Sequence, residues 1–260
     1  MSLIIPANTL STGGFDVANS CRFNTGSSDH LIRSLGTSET STQKGTFSFW
    51  VKFSSIDIHR AMYFNEVEND NNRAYIQFLS TGQLRIVNSE SGDNLYLNTN
   101  RVFRDVGAFY HFVIAIDTTQ GTSSNRVKVY INGVQETSFS TETYPDQNTN
   151  LKLFEGNAGT KNTICASYPL GQYLSGYVAE WVYIDGTQNA ATDFGEFDED
   201  SGIWKPIDVS GLTFGNNGFY LDFEDSSALG NDVSGNNNDW TATNLTAIDQ
   251  STDTCTNNFA

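Results

Sequence analysis

Three carboxylate side chains alternate in the segment Glu196-Phe-Asp198-Glu-Asp200. Alternate positions on a strand project from one face, so an i, i+4 pair of carboxyl groups can span a sugar. Hydrolysis of a glycoside with retention needs two carboxyl groups about 5–5.5 Å apart. Glu196, Asp198 and Asp200 are therefore a candidate catalytic set. The alternative is a solvated acidic loop, which we favour because Asp200 has a shorter reach than a glutamate would have.

Oxygen-bearing side chains alternate in a second segment, at Asp232, Ser234, Asn236, Asn238 and Asp239. Calcium takes several oxygen ligands at about 2.3–2.6 Å, and this spacing is similar to the start of a calcium loop. No glutamate follows at the EF-hand distance. An Asx-rich turn, held by hydrogen bonds from side chain to backbone, explains the same pattern. We favour the turn and keep calcium as the one candidate cofactor.

The other residues able to bind metals do not group convincingly. Glu66, Glu68 and Asp70 form a weaker cation candidate, for which a solvated loop is the favoured alternative. The histidines at positions 30, 59 and 111 are scattered, and His111 falls on a predicted strand, which favours a structural role. The cysteines at positions 21, 165 and 255 are odd in number and widely spaced, so we interpret them as buried free thiols.

Aromatic residues in predicted loops form a candidate carbohydrate-binding set, because sugars stack on aromatic faces while Asn and Asp side chains bind hydroxyl groups. The alternative for each is that it covers an edge of the hydrophobic core. The candidates are Tyr144, Tyr168, Tyr173, Trp204 and Trp240.

The composition limits the classes of partner. The 260 residues carry a net charge of −16, which repels phosphate and so disfavours nucleic acids and anionic membranes. No run approaches the roughly 18 apolar residues of a membrane span. The apolar start, residues 1–6, is too short for a signal peptide, so we expect a soluble protein made in a cytoplasm.

Strands must position these candidates, because the density of Gly, Asn and Ser leaves no long amphipathic helix. The central pair lies in Tyr110–Val134, where one face of the first strand is Phe112, Ile114 and Ile116 and the other is His111, Val113 and Ala115. The same alternation in residues 46–53 groups Phe47, Phe49, Val51 and Phe53 on one face. Asn132-Gly133 then predicts a tight hairpin turn. Further strands are predicted at residues 46–53, 61–64, 74–79, 84–87, 95–97, 135–139, 151–154, 176–186 and 219–223, with two short ones around the turn at residues 24–27.

The strand at residues 176–186 is apolar on both faces, so it should be central in its sheet. Period-two alternation groups Tyr177, Ala179, Trp181 and Tyr183 on one face. Glu180 then lies on the other face among apolar neighbours and needs a hydrogen-bonding partner.

Five segments in order resemble the laminin-G-like members of the concanavalin A-like lectin/glucanase superfamily. They are CRFNTGSSDHLIR, GTFSFWVKF, YHFVIAID, VKVYINGV and LSGYVAEWVYIDG, although Tyr110 stands where Trp is common. The resemblance implies an all-β, antiparallel two-sheet β-sandwich of concanavalin A-like jelly-roll type. It divides the chain into an N-terminal arm (1–19), a sandwich (20–186) and an irregular C-terminal extension (187–260), from which 219–223 returns to the sandwich.

The same resemblance sharpens the acidic candidate. Glucanases of this superfamily carry E-x-D-x-E on a central strand, with a nucleophile, a tuning aspartate and an acid/base in that order. Glu196, Asp198 and Asp200 are a near miss to this motif and follow the closing strand instead of lying on a central one.

The tail, residues 193–225 followed by 228–240, resembles virion-associated proteins of marine bacteriophages. This resemblance implies a fibre or capsid-surface protein. Together with the lectin-like fold and the lack of a credible catalytic set, it predicts a non-enzymatic virion surface protein, of fibre or capsid-decoration type, whose partners are other virion proteins and host-surface glycans. A glucanase-type hydrolase or depolymerase and a purely structural assembly module are the alternatives. The oligomeric state stays open, with a homotrimer as one option. No stop pattern precedes Ala260, so we expect the natural chain to continue beyond it.

Overall fold

The computed structural model describes residues 14–34, 38–57, 59–65, 72–155, 161–167 and 170–257. Regular structure in these residues is almost entirely β-strand. The helical elements there have three or four residues each, too few to cross a bilayer. The predicted N-terminal arm is described from residue 14 only, and residues 66–71 lie outside the described part.

The described strands follow one another in chain order with short connections. They are β1 (Ser20–Phe23), β2 (His30–Ser34), β3 (Lys44–Phe53), β4 (His59–Asn65), β5 (Asn72–Phe78), β6 (Gln83–Glu90), β7 (Asp93–Val102), β8 (Tyr110–Asp117), β9 (Val127–Ile131), β10 (Val134–Glu136), β11 (Phe139–Thr143), β12 (Lys161–Ile164), β13 (Gly176–Asp185), β14 (Gly195–Phe197), β15 (Trp204–Pro206), β16 (Phe219–Leu221), β17 (Thr241–Thr243) and β18 (Gln250–Ser251). The helical elements are α1 (Ser123–Arg126) and two 3₁₀ turns, Ala191–Asp193 and Ala247–Asp249.

The strands form two large antiparallel sheets. Sheet A has the order β10-β9-β8-β3-β13-β1-β18, with β16 also paired to β13. Sheet B has the order β11-β7-β6-β5-β4-β12-β2-β17, and β14 with β15 forms a separate hairpin. This arrangement confirms the predicted all-β sandwich.

Alternating side chains of both sheets fill the space between them. Phe47 and Phe49 of β3 and Phe112 and Ile114 of β8 are fully buried there. Phe49 lies opposite Phe112 in register, and its ring stacks on Trp181 with centroids 4.3 Å apart. Stacked rings of this kind stabilise the core by about 0.5–1.5 kcal/mol beyond the burial of their area. The predicted faces of these two strands are confirmed.

Strand β13 does not alternate regularly, because a β-bulge lies at Glu180. The φ angle of Glu180 is +50°, and the pairing with β3 shifts between Ala179 and Val182. Trp181 and Tyr183 therefore face the core, whereas Ala179 packs on the opposite side of sheet A. The predicted grouping of Ala179 with Trp181 and Tyr183 is wrong, since one extra residue reverses the alternation.

The tail of the chain completes both sheets. Beyond the bulge, the edge of β13 changes its partner from β1 to β16. Strand β17 pairs with β2 in sheet B, and β18 pairs with β1 in sheet A, where Ser20 lies opposite Ser251. Residues 187–257 are thus held by main-chain hydrogen bonds at three separate places.

The same tail covers the outer face of sheet A. Phe194, Trp204 and Phe214 pack with Trp50 and Val113, which project outward from β3 and β8. Sheet A is therefore buried on both faces. This explains why β8 and β13 carry apolar residues on both faces.

Two local expectations change in the structure. Residues 151–154 form a turn, in which the Phe154 N–H donates to the Leu151 carbonyl oxygen at 3.0 Å, so the predicted strand there is wrong. Leu151 and Phe154 are nevertheless fully buried. The apolar pattern of this segment therefore indicated burial and not a strand. Strands β1 and β2 form as predicted but join different sheets, so the turn between them is a corner of the sandwich.

The hairpin between β9 and β10 forms as predicted. Asn132 and Gly133 have φ angles of +48° and +77°, and Ile131 pairs with Val134 on either side. Both positive angles are those of a type I′ turn. Gly133 also lies directly beneath the Trp204 ring, so close that an added Cβ would overlap it.

We expect Gly133→Ala to lower the free energy of unfolding by about 2 kcal/mol, because the new methyl group is strained at positive φ and displaces Trp204. Gly121→Ala is the matched control, since a Cβ there would meet nothing within 4 Å. The control should stay within about 0.5 kcal/mol of the parent. Equal losses in denaturant titrations of the two variants would contradict the packing described here.

Candidate functional site

The acidic candidate set lies on the β14–β15 hairpin. Glu196 and Asp200 are exposed, and the Lys205 Nζ atom lies 3.3 Å from Glu196 Oε1 and 3.2 Å from Asp198 Oδ2. Asp198 Oδ1 accepts hydrogen bonds from the backbone N–H and the Oγ of Ser201, both at 2.9 Å. These bonds and Lys205 lower the pKa of Asp198 to about 2. A glycosidase acid needs a raised pKa, so this geometry suits a closed turn better than catalysis.

The carboxylate of Asp232 organises the second candidate loop. It accepts hydrogen bonds from the Tyr220 N–H at 2.8 Å, from the Ser234 N–H and Oγ, both at 2.9 Å, and from the Asn238 N–H at 2.8 Å. Asp239 Oδ1 in turn accepts the Asp232 N–H at 2.9 Å. The oxygens expected to bind calcium are therefore engaged by donors of the loop itself.

The two asparagines of this loop also bind protein groups. Their side-chain amides donate to the Gly218 carbonyl oxygen, Asn236 at 2.9 Å and Asn238 at 2.7 Å, and Arg33 donates to Asn238 Oδ1. Within the described residues, no three His, Cys, Asp or Glu side chains converge as a metal site. The weaker cation candidate, residues 66–70, lies outside that part of the chain.

The aromatic candidates occupy different surroundings. Trp204 and Trp240 are 7% and 4% exposed and belong to the two hydrophobic clusters, so neither offers an open face to a sugar. Tyr144, just after β11, is half-buried against the main core. Tyr173, just before β13, is also half-buried. Tyr168 lies outside the described residues.

A buried serine–histidine pair lies beneath the β14–β15 hairpin. The His111 Nε2 atom is 2.8 Å from Ser48 Oγ, and the Trp204 Nε1–H donates to His111 Nδ1 at 2.9 Å. An indole N–H can only donate, so Nδ1 is the acceptor and the neutral ring carries its proton on Nε2. Burial lowers the pKa of His111 to about 3, which keeps the ring neutral. A nucleophilic serine needs Nε2 as an acceptor, so this pair is a structural bridge.

Glu180 is a buried carboxyl group at the bulge of β13. It is 6% exposed, and the Tyr220 hydroxyl donates to its Oε2 at 2.5 Å, which supplies the partner that the sequence required. Burial, together with the nearby carboxylates of Asp222 and Glu224, raises the pKa of Glu180 to about 8. The side chain is therefore protonated near neutral pH, but it has little access to a substrate.

The outer face of sheet B carries a different set of side chains. On β5, β6 and β7, the residues between the core positions point away from the sandwich. Tyr75, Val87 and Tyr96 lie side by side in register and form an apolar cluster separate from the main core. We call this surface the arginine–tyrosine face, and its members are Arg73, Tyr75, Gln77, Arg85, Tyr96 and Asn98.

Each arginine of this face lies over a tyrosine ring. The Cζ atom of Arg73 is 5.6 Å from the Tyr75 ring centroid, and that of Arg85 is 5.2 Å from the Tyr96 centroid. A cation over a ring is stabilised by about 0.5–1 kcal/mol at such sites. Tyr75 is only 5% exposed. The face therefore presents the guanidinium groups of its two arginines, which the rings support from below, while its amides, Gln77 and Asn98, are 4% and 9% exposed.

Amide side chains complete the arginine–tyrosine face. Asn98 lies opposite Arg85 in the pairing of β6 with β7. Its Nδ2 atom donates to Ser140 Oγ at 2.8 Å, while its buried Oδ1 atom has no hydrogen-bond partner among the described residues. The Gln77 Nε2 atom donates to Gln172 Oε1 at 3.3 Å. Donors and acceptors of this kind match the hydroxyl and acidic groups of sugars.

This face was missed from the sequence because we looked for aromatic residues in loops. The signal was present in the run Arg73-Ala-Tyr75-Ile-Gln77, where large polar or aromatic residues alternate with core residues. Arg85 and Val87 repeat the pattern on the next strand. Period-two alternation assigns them to the outer face, but only the pairing register brings them together.

Comparison with known proteins places this fold. The profile of the Concanavalin A-like lectin/glucanases superfamily, in its laminin G form, matches residues 25–181. No curated protein matches the chain.

Several solved structures are similar to this one. A candidate carbohydrate binding protein from Bacteroides ovatus has a TM-score of 0.52 and 13% identity, over 88% of this chain and 59% of that one. A heptameric SAP-like pentraxin from Limulus polyphemus has a TM-score of 0.47 and 15% identity, over 68% and 80%. Tailspike protein 2 of an Escherichia coli O157:H7 bacteriophage has a TM-score of 0.45 and 13% identity, over 72% and 28%. At 13% identity, the likeness to the Bacteroides structure concerns the fold alone.

We expect Glu180 to make folding stability depend on pH. Its pKa in the folded protein, about 8, lies above the ordinary value of 4.5, so the folded state holds a proton that the unfolded state releases between these values. Its contribution is complete below about pH 4.5 and is lost as pH rises toward 8, at up to about 1.4 kcal/mol per pH unit.

The measurement is denaturant unfolding at intervals from pH 4 to 9. Glu180→Gln keeps an acceptor for the Tyr220 hydroxyl and should flatten the fall in stability between pH 5 and 8. Glu199→Gln, an exposed change on the β14–β15 hairpin, should leave the parent curve unchanged. Parallel curves of stability against pH for the parent and Glu180→Gln would show that folding does not raise the pKa of Glu180.

Proposed function

This chain belongs to the concanavalin A-like lectin/glucanases superfamily, and on that premise we propose that it is a non-enzymatic glycan-binding protein that uses the arginine–tyrosine face. One observation carries the proposal. Sheet A is covered on its outer side by the chain's own tail, whereas sheet B carries two ring-backed arginines on its outer side. Side chains fixed on strands lose little conformational entropy when a ligand binds.

The family supports the class of function. The Bacteroides structure that shares the fold is described as a candidate carbohydrate binding protein. That likeness concerns the fold, so the position of the site on this chain rests on its own side chains. The arginine–tyrosine face combines charged, amide and aromatic groups on adjacent strands of one sheet.

The polar networks support a role without catalysis. Asp198 has a lowered pKa and a lysine partner, which makes it a poor proton donor. His111 holds its proton toward Ser48, so it does not activate that hydroxyl group. Glu180 has the raised pKa of a general acid, but it is buried against Tyr220.

A virion surface is the setting that we propose for this binding. The support is the resemblance of residues 193–225 and 228–240 to virion-associated proteins of marine bacteriophages. In this chain the first of these segments covers the outer face of sheet A and supplies β16. A fibre or capsid-decoration protein with one open sheet would adhere to host glycans through that sheet and contact other virion proteins elsewhere.

We expect the protein to bind polysaccharides on an array, and Tyr96→Ala to weaken that binding about tenfold. The substitution removes the ring beneath Arg85 and so releases the guanidinium from its fixed position. Tyr173→Ala is the control, because Tyr173 is half-buried outside this face.

The same samples separate the alternatives. Loss of binding in Tyr173→Ala with full binding in Tyr96→Ala would move the site to the loop rim. Release of reducing ends from any bound polysaccharide would contradict the non-enzymatic assignment. Binding to no glycan would leave a purely structural role.

A further inference from the structure

Arg85 pairs with no carboxylate among the described residues of a strongly acidic chain. The net charge is −16, and Arg22, Arg101 and Lys205 each pair with a carboxylate. No ion pair joins Arg85 to a carboxylate in the part of the chain that the structure describes, and its buried Nε atom has no hydrogen-bond partner there. A shielded donor that lacks an acceptor costs free energy, which an acceptor on a bound ligand would recover.

An unused acceptor lies beside this unused donor. Asn98 is 9% exposed, and its Oδ1 atom has no partner among the described residues. Asn98 and Arg85 occupy paired positions on β6 and β7, so their side chains lie side by side on the outer face of sheet B. An anionic oxygen satisfies the guanidinium, and a hydroxyl group satisfies the amide oxygen.

We propose that the arginine–tyrosine face selects a carboxylated sugar, a uronate unit of an acidic polysaccharide, through Arg85 and Asn98. The inference rests on the glycan-binding function proposed above and adds its specificity. The carboxylate accepts two parallel hydrogen bonds from the planar guanidinium, which the Tyr96 ring orients. An adjacent sugar hydroxyl donates to Asn98 Oδ1.

The chemistry distinguishes this ligand from other sugars. The fork of a guanidinium matches the two coplanar oxygens of a carboxylate, whereas a lysine provides only a point charge. A neutral sugar would bury the Arg85 charge without compensation, which opposes binding. Uronate binding should therefore depend on the guanidinium itself and weaken as salt is added.

The experiment measures affinity for polygalacturonate and alginate, each beside its fully esterified form, in which the sugar backbone is kept and the charge is removed. The proteins are the full chain, Arg85→Gln, Arg85→Lys and Lys128→Gln. Lys128 lies on β9 in sheet A, so its replacement gives the same charge change on the other sheet.

The parent should bind at least one acidic polymer about tenfold more tightly than its ester. Arg85→Gln should abolish this preference, Arg85→Lys should keep a minor part, and Lys128→Gln should keep all of it. Thermal unfolding of each variant confirms that the fold is intact. Arg85 lies on the surface, so we expect its variants to fold.

Four results would overturn the proposal. The first is an unchanged preference for the acid form in Arg85→Gln. The second is equal binding of the acid and ester forms by the parent. If Tyr96→Ala still weakened that binding, the glycan-binding function would stand and only the uronate specificity would fail. The third is tighter binding to dextran sulfate than to either uronate polymer. The fourth is an absence of binding to every glycan, which would contradict both the glycan-binding function and the uronate specificity.

Discussion

The burial of sheet A on both faces is the constraint on which the rest of this structure depends. Its inner face packs against sheet B through stacked rings such as Phe49 and Trp181. Its outer face also carries large apolar side chains, such as Trp50 and Val113, whose exposure to water would be unfavourable. The tail after β13 supplies the cover. Residues 187–257 are therefore part of the folding unit described here.

Covering that outer face also buries polar groups, and the structure pairs them. The Trp204 indole donates a hydrogen bond to His111, and the Glu180 carboxyl group accepts one from Tyr220. Asp232 fixes the backbone of a long loop by accepting several N–H groups. Residues with the composition of catalytic or metal sites thus hold the tail in place, because buried polar atoms need partners whatever their role.

Much of this fold could be predicted from the sequence, because period-two alternation is a local property. The faces of β3 and β8 and the Asn132-Gly133 turn are examples. The bulge at Glu180 could not be predicted, since an extra residue shows only against a partner strand. Trp204 and Trp240 were placed in loops because their strands and turns are short, and their burial depends on distant elements. The arginine–tyrosine face could not be predicted either, because its residues come together only through the pairing register of β5, β6 and β7.

The two ends of the described chain run side by side. The Val17 N–H donates to Thr256 Oγ1 at 2.9 Å, and Ser20 lies opposite Ser251 where β1 meets β18. Because the strands are antiparallel, both ends leave the sandwich at the same corner. A force that pulls the two ends apart would load these hydrogen bonds one after another, starting at the ends of the chain. Mechanical tension would release the short strand β18 first, while the larger sheets bear little of the load.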